Sequence, residues 1–318
     1  MAGLKERKER DMIAYVYLLP AFLLMGAFVI YPLINTMITS FKEGYRFLTG
    51  DYVRFSISNY VEILTDATFL RALKNTAFIA FICVPCSMIL ALAAAVLINS
   101  IIKCKGLFMT LYYLPQVTNV IAAGMVFSLL FNNNFGLINT VLGWFGIDPV
   151  AWISGVGIAG SRELYRESYH RCLTVLFVYQ MWSGLSLKTI LFLGGLQNIN
   201  RQYYQAASVD GISRWKTFTK ITFPLLSPTT FYVFITSVIT AFKAYSAVIS
   251  LFGLKYGPAG DNTKMMITIV GYIMDSLGDY LSAGSVSRAS AAAVILLIII
   301  GTLTAVQMKF SKRWVHYK

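Results

Sequence analysis

The chain has 318 residues, 57% of them hydrophobic and 13% charged, about half the charged share of a soluble globular domain, which excludes that class and points to a membrane protein. A formal charge of +13 would suit nucleic acid, but the basic residues lie between long apolar runs and form no compact basic domain for a phosphate backbone. Two histidines make a zinc site improbable, and Cys83 and Cys86, as CVPC, sit in an apolar run rather than the soluble strand-to-helix setting of a redox motif.

Taken in order, Lys5, Arg7, Lys8 and Arg10 make residues 1–11 a basic tail, and the uncharged run from Met12 to Phe41 is long enough for a first membrane helix, which needs about 20 apolar residues. A cleaved signal peptide would have an apolar core of roughly 7 to 15 residues, so it does not fit. Pro20 and Pro32 mark places where this helix kinks or ends. The stretch to Lys74, with Glu43, Asp51, Glu62 and Asp66, is expected to form an outer loop.

Helix two is expected from Asn75 to Ile102, with Ala91, Ala93, Ala94 and Ala95 allowing a neighbour to approach closely. Lys103 and Lys105 form a short connection. Helix three follows from Gly106 to Phe131, and Asn132, Asn133 and Asn134 break it. Residues 135–171 are apolar enough to resemble another crossing, but one more would put the basic loop around Arg214 on the same side as the outer loops. An outer folded or interfacial segment is therefore expected, with the polar piece Ser161 to Cys172 unaccounted for. Helix four runs from about Leu173 to Leu196, helix five from about Leu225 to Leu251 and helix six from Ala289 to Met308. Lys188 and Lys243, in helices four and five, are expected to snorkel toward opposite surfaces. An outer loop with Pro258, Asp261, Asp275 and Asp279 separates the last two spans, and residues 309–318 form a second basic tail. Basic residues are dense in both tails and in the 103–105 connection, which puts those segments, and both termini, on the cytoplasmic side.

No Lys follows a Gly, so the phosphate-cradling GxxxxGK[ST] loop is absent, and neither HExxH nor GxSxG occurs. The chain is expected to be no enzyme, to bind no cofactor and to take its energy from elsewhere. The alternative is a secondary transporter or channel subunit. Ion-coupled carriers keep acids at membrane depth, and all six expected spans lack Asp and Glu.

The stretch Gln205 to Pro228 organises this reading. Asp210-Gly211 ends one helix in a turn, and Arg214, Lys216 and Lys220 alternate with Trp215, Phe218, Ile221 and Phe223 in the pattern of an amphipathic helix along a membrane surface. Gln205, Ala206, Ala207, three residues, Gly211, nine residues, then Ile221, Thr222, Phe223 and Pro224 resembles the Glu-Ala-Ala, Gly, Ile-x-Leu-Pro loop of binding-protein-dependent ABC importer permeases, which docks on the ATPase. Gln205 stands where the family has an acid and Phe223 where it has Leu; a neutral amide still hydrogen-bonds. LYYLPQVTNVIAAGMVFSLLFNNNFGLIN from Leu111 and LFLGGLQNIN from Leu191 resemble the sugar-importing branch, of the maltose and glycerol-phosphate type.

The resemblance implies an all-α, polytopic, six-helix permease of the methionine-importer-like fold over residues 12–308, with a docking loop at about 197–224 made by Gln205, Ala206, Ala207, Asp210, Gly211, Ile221 and Pro224. It also implies a bacterial cell membrane, a second permease subunit in a heterodimer, two ATPase subunits that use ATP, and an external substrate-binding protein. No nucleic acid is a partner. The substrate is a sugar or oligosaccharide, with glycerol phosphate or another small polar solute as an alternative. A sugar path needs hydrogen-bonding groups and aromatic faces. Asn119, Tyr179, Gln180, Trp182, Ser183, Tyr245 and Ser246 meet that need, although each also suits helix packing or an interfacial belt.

Overall fold

The computed structural model describes residues 15–100, 105–153, 161–258 and 261–314, so the 1–11 tail, Lys103, Cys104 and the end of the second tail lie outside the described residues. The chain divides into two units. The first, residues 1–65 and 273–295, opens with helix α1, Tyr15–Ser40. This helix passes both Pro20 and Pro32 without ending. Pro32 has no N–H to give, and its ring crowds the preceding turn; the helix widens there into a π turn, Gly26–Ile30, which eases the crowding. Apolar side chains such as Tyr17 and Phe28 point outward, as a helix facing lipid requires.

A short antiparallel pair follows, β1 (Lys42–Glu43) with β2 (Arg54–Phe55). The Arg54 guanidinium donates to Glu43 at 2.8 Å and holds its carboxyl below the usual glutamate range. Helix α2, Ser58–Thr65, is tied back to the end of α1: the Asn59 amide donates to the carbonyl oxygens of Ser40 and Lys42 at 2.9 and 3.2 Å. Arg288 reaches Glu62 at 2.9 Å.

The second unit, residues 66–272 and 296–318, holds the elements that follow up to residue 272 and the end of the last helix. Helix α3 spans Ala67–Ser100 and begins earlier than its apolar run predicts. The reason is its cap: Asp66 accepts from the Thr68 N–H at 2.7 Å, so Arg71 and Lys74 ride on the first turns of the helix rather than in a loop. Helix three of the sequence reading is two helices, α4 (Lys105–Val117) and α5 (Val120–Leu130), bent by 96°. Pro115 and the Asn119 cap explain the break, since proline removes an N–H and Asn119 restarts the helix. Helix α6, Leu137–Trp144, is too short to cross a membrane. Its Asn139 side chain donates to the Asn133 and Val150 carbonyls and accepts from the Val150 N–H and Trp152 Nε1, all within 3.2 Å.

Helix α7, Arg162–Gln197, accounts for the polar piece that the sequence left unplaced. Ser161 caps it, and its early turns are an extension of span four. Tyr169 donates to Asn75 Oδ1 at 2.8 Å, Cys172 Sγ donates to the Trp152 carbonyl, and the Arg71 and Lys74 cations lie over the Tyr165 and Tyr169 rings at 5.9 and 5.2 Å. Helix α3 packs chiefly on α7, with Ala91, Ala94 and Ala95 buried and Ala93 exposed.

Helices α8 (Arg201–Val209), α9 (Arg214–Leu225) and α10 (Ser227–Phe242) come next, α9 and α10 being bent by 64°. The expected fifth span to Leu251 is interrupted: α10 stops before Lys243 and a short helix α11, Ser246–Phe252, restarts. Helix α12, Ile269–Gly278, and the long α13, Ser285–Trp314, complete the order. Among the described residues four helices, α1, α3, α7 and α13, are long and apolar enough to cross a membrane, and counting each bent pair as one span gives six.

Candidate functional site: a helical loop joined to a polar cavity

The loop is built from its caps. Asn200 accepts from the Gln202 N–H at 3.0 Å to start α8, and Gly211, at φ +66°, ends it. The Gly211 N–H bonds the Ser208 carbonyl at 3.2 Å and the Ile212 N–H bonds the Ala207 carbonyl at 2.9 Å, the paired closure of a Schellman motif. Ser213 then caps α9 by accepting from the Lys216 N–H. Tyr204 and Thr222 share a hydroxyl contact at 3.2 Å, which ties α8 to α9.

Of the residues expected in the loop, Gln205, Ala206, Asp210 and Gly211 are exposed, Ala207 is buried, and Ile221 and Pro224 are half-buried on α9. The sequence reading missed Val209, 88% exposed and one turn from Gln205 on α8, as part of this surface; Trp215 on α9 is 75% exposed, and large exposed apolar side chains are what a partner face presents.

The cavity, about 440 Å³, is walled by α3, α7 and α10 and by residues 243–247, with Gln116 and Val120 contributing. It brings together Tyr179, Gln180, Ser183, Tyr245 and Ser246 from the expected path. It does not bring in Asn119, whose side chain accepts from the Ile121 and Ala122 N–H groups as a helix cap, or Trp182, which packs on Phe127 with ring centroids 5.2 Å apart. The Tyr179 hydroxyl donates to the Val120 carbonyl at 3.0 Å, so Tyr179 offers the cavity its ring more than its hydroxyl.

Missed by the sequence reading were Gln116, Thr236, Ser237 and Thr240; the i, i+4 spacing of the two threonines on an apolar helix was the available signal. Lys188 and Lys243 do not run to opposite surfaces. Both line this cavity. A helical side chain leans toward the preceding turn, and at Lys188 that turn holds Gly184, where an added Cβ would lie 3.1 Å from the ammonium. Lys188 Nζ thereby donates to Ser87 Oγ across on α3.

A larger groove of about 710 Å³, lined by side chains such as Met88, Phe231, Phe234 and Phe310, is apolar throughout apart from Thr230, Gln307 and Ser311. It lacks the density of hydrogen-bonding groups that a polar solute requires.

The loop is continuous in the chain with two of the cavity walls. The loop lies between α7 and α10, both of which wall the cavity. Gly195 marks a close approach of these helices: a Cβ there would come within 2.6 Å of Thr229 Oγ1 and 2.7 Å of Leu226 Cδ1.

The sequence model of the family described as "Binding-protein-dependent transport system inner membrane component" matches residues 84–317. The chain is similar to the arabinooligosaccharides transport system permease protein AraP of Halalkalibacterium halodurans, 28% identical over 302 residues, covering 94% of this chain and 88% of that one. It is also 27% identical over 305 residues to the lactose transport system permease protein LacF of Rhizobium radiobacter, covering 95% and 94%. Among solved structures, a chain of a bacterial ABC transporter involved in the import of the acidic polysaccharide alginate superposes with a TM-score of 0.76 at 21% identity, covering 98% of each chain. Because the family match runs from within the CVPC motif of α3 almost to the last residue, the chain belongs to the inner-membrane components of binding-protein-dependent transport systems.

Proposed function

We propose that the chain is the membrane-spanning subunit of an ATP-driven importer that moves a sugar or oligosaccharide into a bacterial cell. The observation that carries the reading is the continuity of the loop with the two helices that wall the polar cavity. The loop presents Gln205, Ala206, Val209 and Trp215 to a partner, and the family resemblance makes that partner an ATPase. A shift of the docked loop would move α7 and, through the bend at Leu226, α10, and so open the cavity to one side of the membrane and then the other. ATP is used by two partner ATPase subunits. A second permease subunit completes the pathway and an external binding protein delivers the substrate. The loop and both termini are cytoplasmic, as the density of basic residues supports. The chain itself breaks and makes no covalent bond.

Several sugar-transporting relatives, AraP and LacF among them, support the substrate class. The test is uptake into proteoliposomes that hold the chain with its partners. Saccharide should accumulate only with ATP and the binding protein present. Accumulation driven by an ion gradient without ATP would instead support the secondary-transporter reading.

A further inference from the structure

The two lysines of the cavity are more than a neutral sugar requires. Lys188 on α7 and Lys243 just past α10 both line it, and among the described residues no Asp or Glu does. Neither is paired with a carboxylate among the described residues, whose ion pairs include Arg54 with Glu43, Arg171 with Glu167 and Arg288 with Glu62. A cation at membrane depth is costly and is retained chiefly where it faces a cavity and meets a partner. Ser87 Oγ gives Lys188 one neutral acceptor, which leaves its charge uncompensated. A strap between α3 and α7 would explain Lys188 alone. It does not explain Lys243, which is exposed.

Sugar hydroxyls are satisfied by neutral groups such as Gln116, Gln180, Ser183, Thr236, Ser237 and Thr240, which the cavity supplies. Two ammonium groups without counter-ions add something different: a positive potential in a cleft with low-dielectric walls, and donors suited to carboxylate or phosphate oxygens. We propose that this cavity selects a carbohydrate bearing negative charge, whose anionic group is met by Lys188 and Lys243 while the neutral lining takes its hydroxyls. The inference rests on the reading of the chain as a saccharide importer and narrows the substrate to its acidic members.

The assembled transporter in ATP-loaded proteoliposomes, with its binding protein, tests this by uptake of trigalacturonate, its neutral methyl ester, maltotriose and a hexose phosphate. An anionic probe should enter at least about tenfold faster than the neutral ones, the discrimination that a charged hydrogen bond supplies; whether it is the uronate or the phosphate identifies the acid. Lys188→Gln and Lys243→Gln should each slow uptake of that probe by about tenfold, and Lys243→Arg should keep most of it. A helix-packing role would slow charged and neutral probes alike. Uptake of neutral saccharide as fast as anionic would overturn the charge selection and leave the importer reading standing. Unchanged anionic uptake in both Gln variants would overturn it too. ATP hydrolysis with no saccharide of either kind taken up would bring down the importer reading and this inference with it.

Discussion

Gly211 holds φ at +66°, and a Cβ built there meets nothing within 4 Å. The cost of replacing it is therefore one of backbone strain, about 1 to 2 kcal/mol for an L residue held in that region. Gly211→Val should weaken copurification of the ATPase by roughly five- to thirtyfold while the permease still inserts, whereas Gly211→Asn, which tolerates the left-handed region, should keep most of the binding. Full ATPase attachment in the Val variant would show that the turn does not set the loop. At Gln205 the expectation is milder. The side chain is exposed on α8, and a neutral hydrogen bond contributes about 0.5 to 1.5 kcal/mol, so Gln205→Ala should weaken docking modestly and by the same factor at low and high salt. Binding of purified ATPase measured at two ionic strengths checks this, and a large, salt-sensitive loss would mean that an ion contact runs through the site.

These residues were legible because the loop's chemistry is local. Asp210-Gly211 encodes its own turn, and the caps at Asn200 and Ser213 act within three residues. Lys188 and Lys243 were not legible in the same way. Hydropathy places each in a span but says nothing of which helix face it occupies, and only the packing of α3 on α7 brings Ser87 to the Lys188 ammonium.

Among elements, the contact of α5 with α11 is the tightest test of the packing. A Cβ at Gly124 would fall 1.8 Å from Ser250 Oγ and 2.3 Å from Ser250 Cβ, distances that no side chain adjustment at a buried serine removes. Gly124→Ala should cost about 1 to 3 kcal/mol through overpacking and lower the melting temperature of the detergent-solubilised protein. Adding Ser250→Gly should recover most of that loss, because the two changes share one contact; a Gly124→Ala protein that melts like the parent would refute the packing. The sequence reading found the apolar core of every long helix but misjudged several ends. The start of α3 was hidden by Arg71 and Lys74, whose charges read as loop. The start of α7 was hidden by its polar first turns, which are held by Tyr169 and Asn75, a contact 94 residues apart in sequence that periodicity cannot reveal. The bend between α4 and α5 was foreshadowed by Pro115 and by an asparagine at the cap position, although the uninterrupted apolar run outweighed both.

For the whole molecule, the crossings and the side of each loop make a joint prediction. In a background without native cysteines, Lys216→Cys on α9 and Asn262→Cys in the loop before α12, both exposed, should react with a membrane-impermeant thiol reagent from opposite sides. Reaction of both from outside intact cells would overturn the proposed topology.

If the loop docks on a partner ATPase, as proposed, the loop and the cavity walls move together when that ATPase binds ATP. Ser183 lines the cavity on the helix that leads directly into the loop, so the reactivity of a Ser183→Cys probe reports which side the cavity faces. In proteoliposomes holding the whole transporter, with an ATPase that binds but does not hydrolyse ATP, the probe should react from one side without ATP and from the other with it, and Gly211→Val should abolish the switch. Reactivity from the same side in both states, with the ATPase attached, would contradict it.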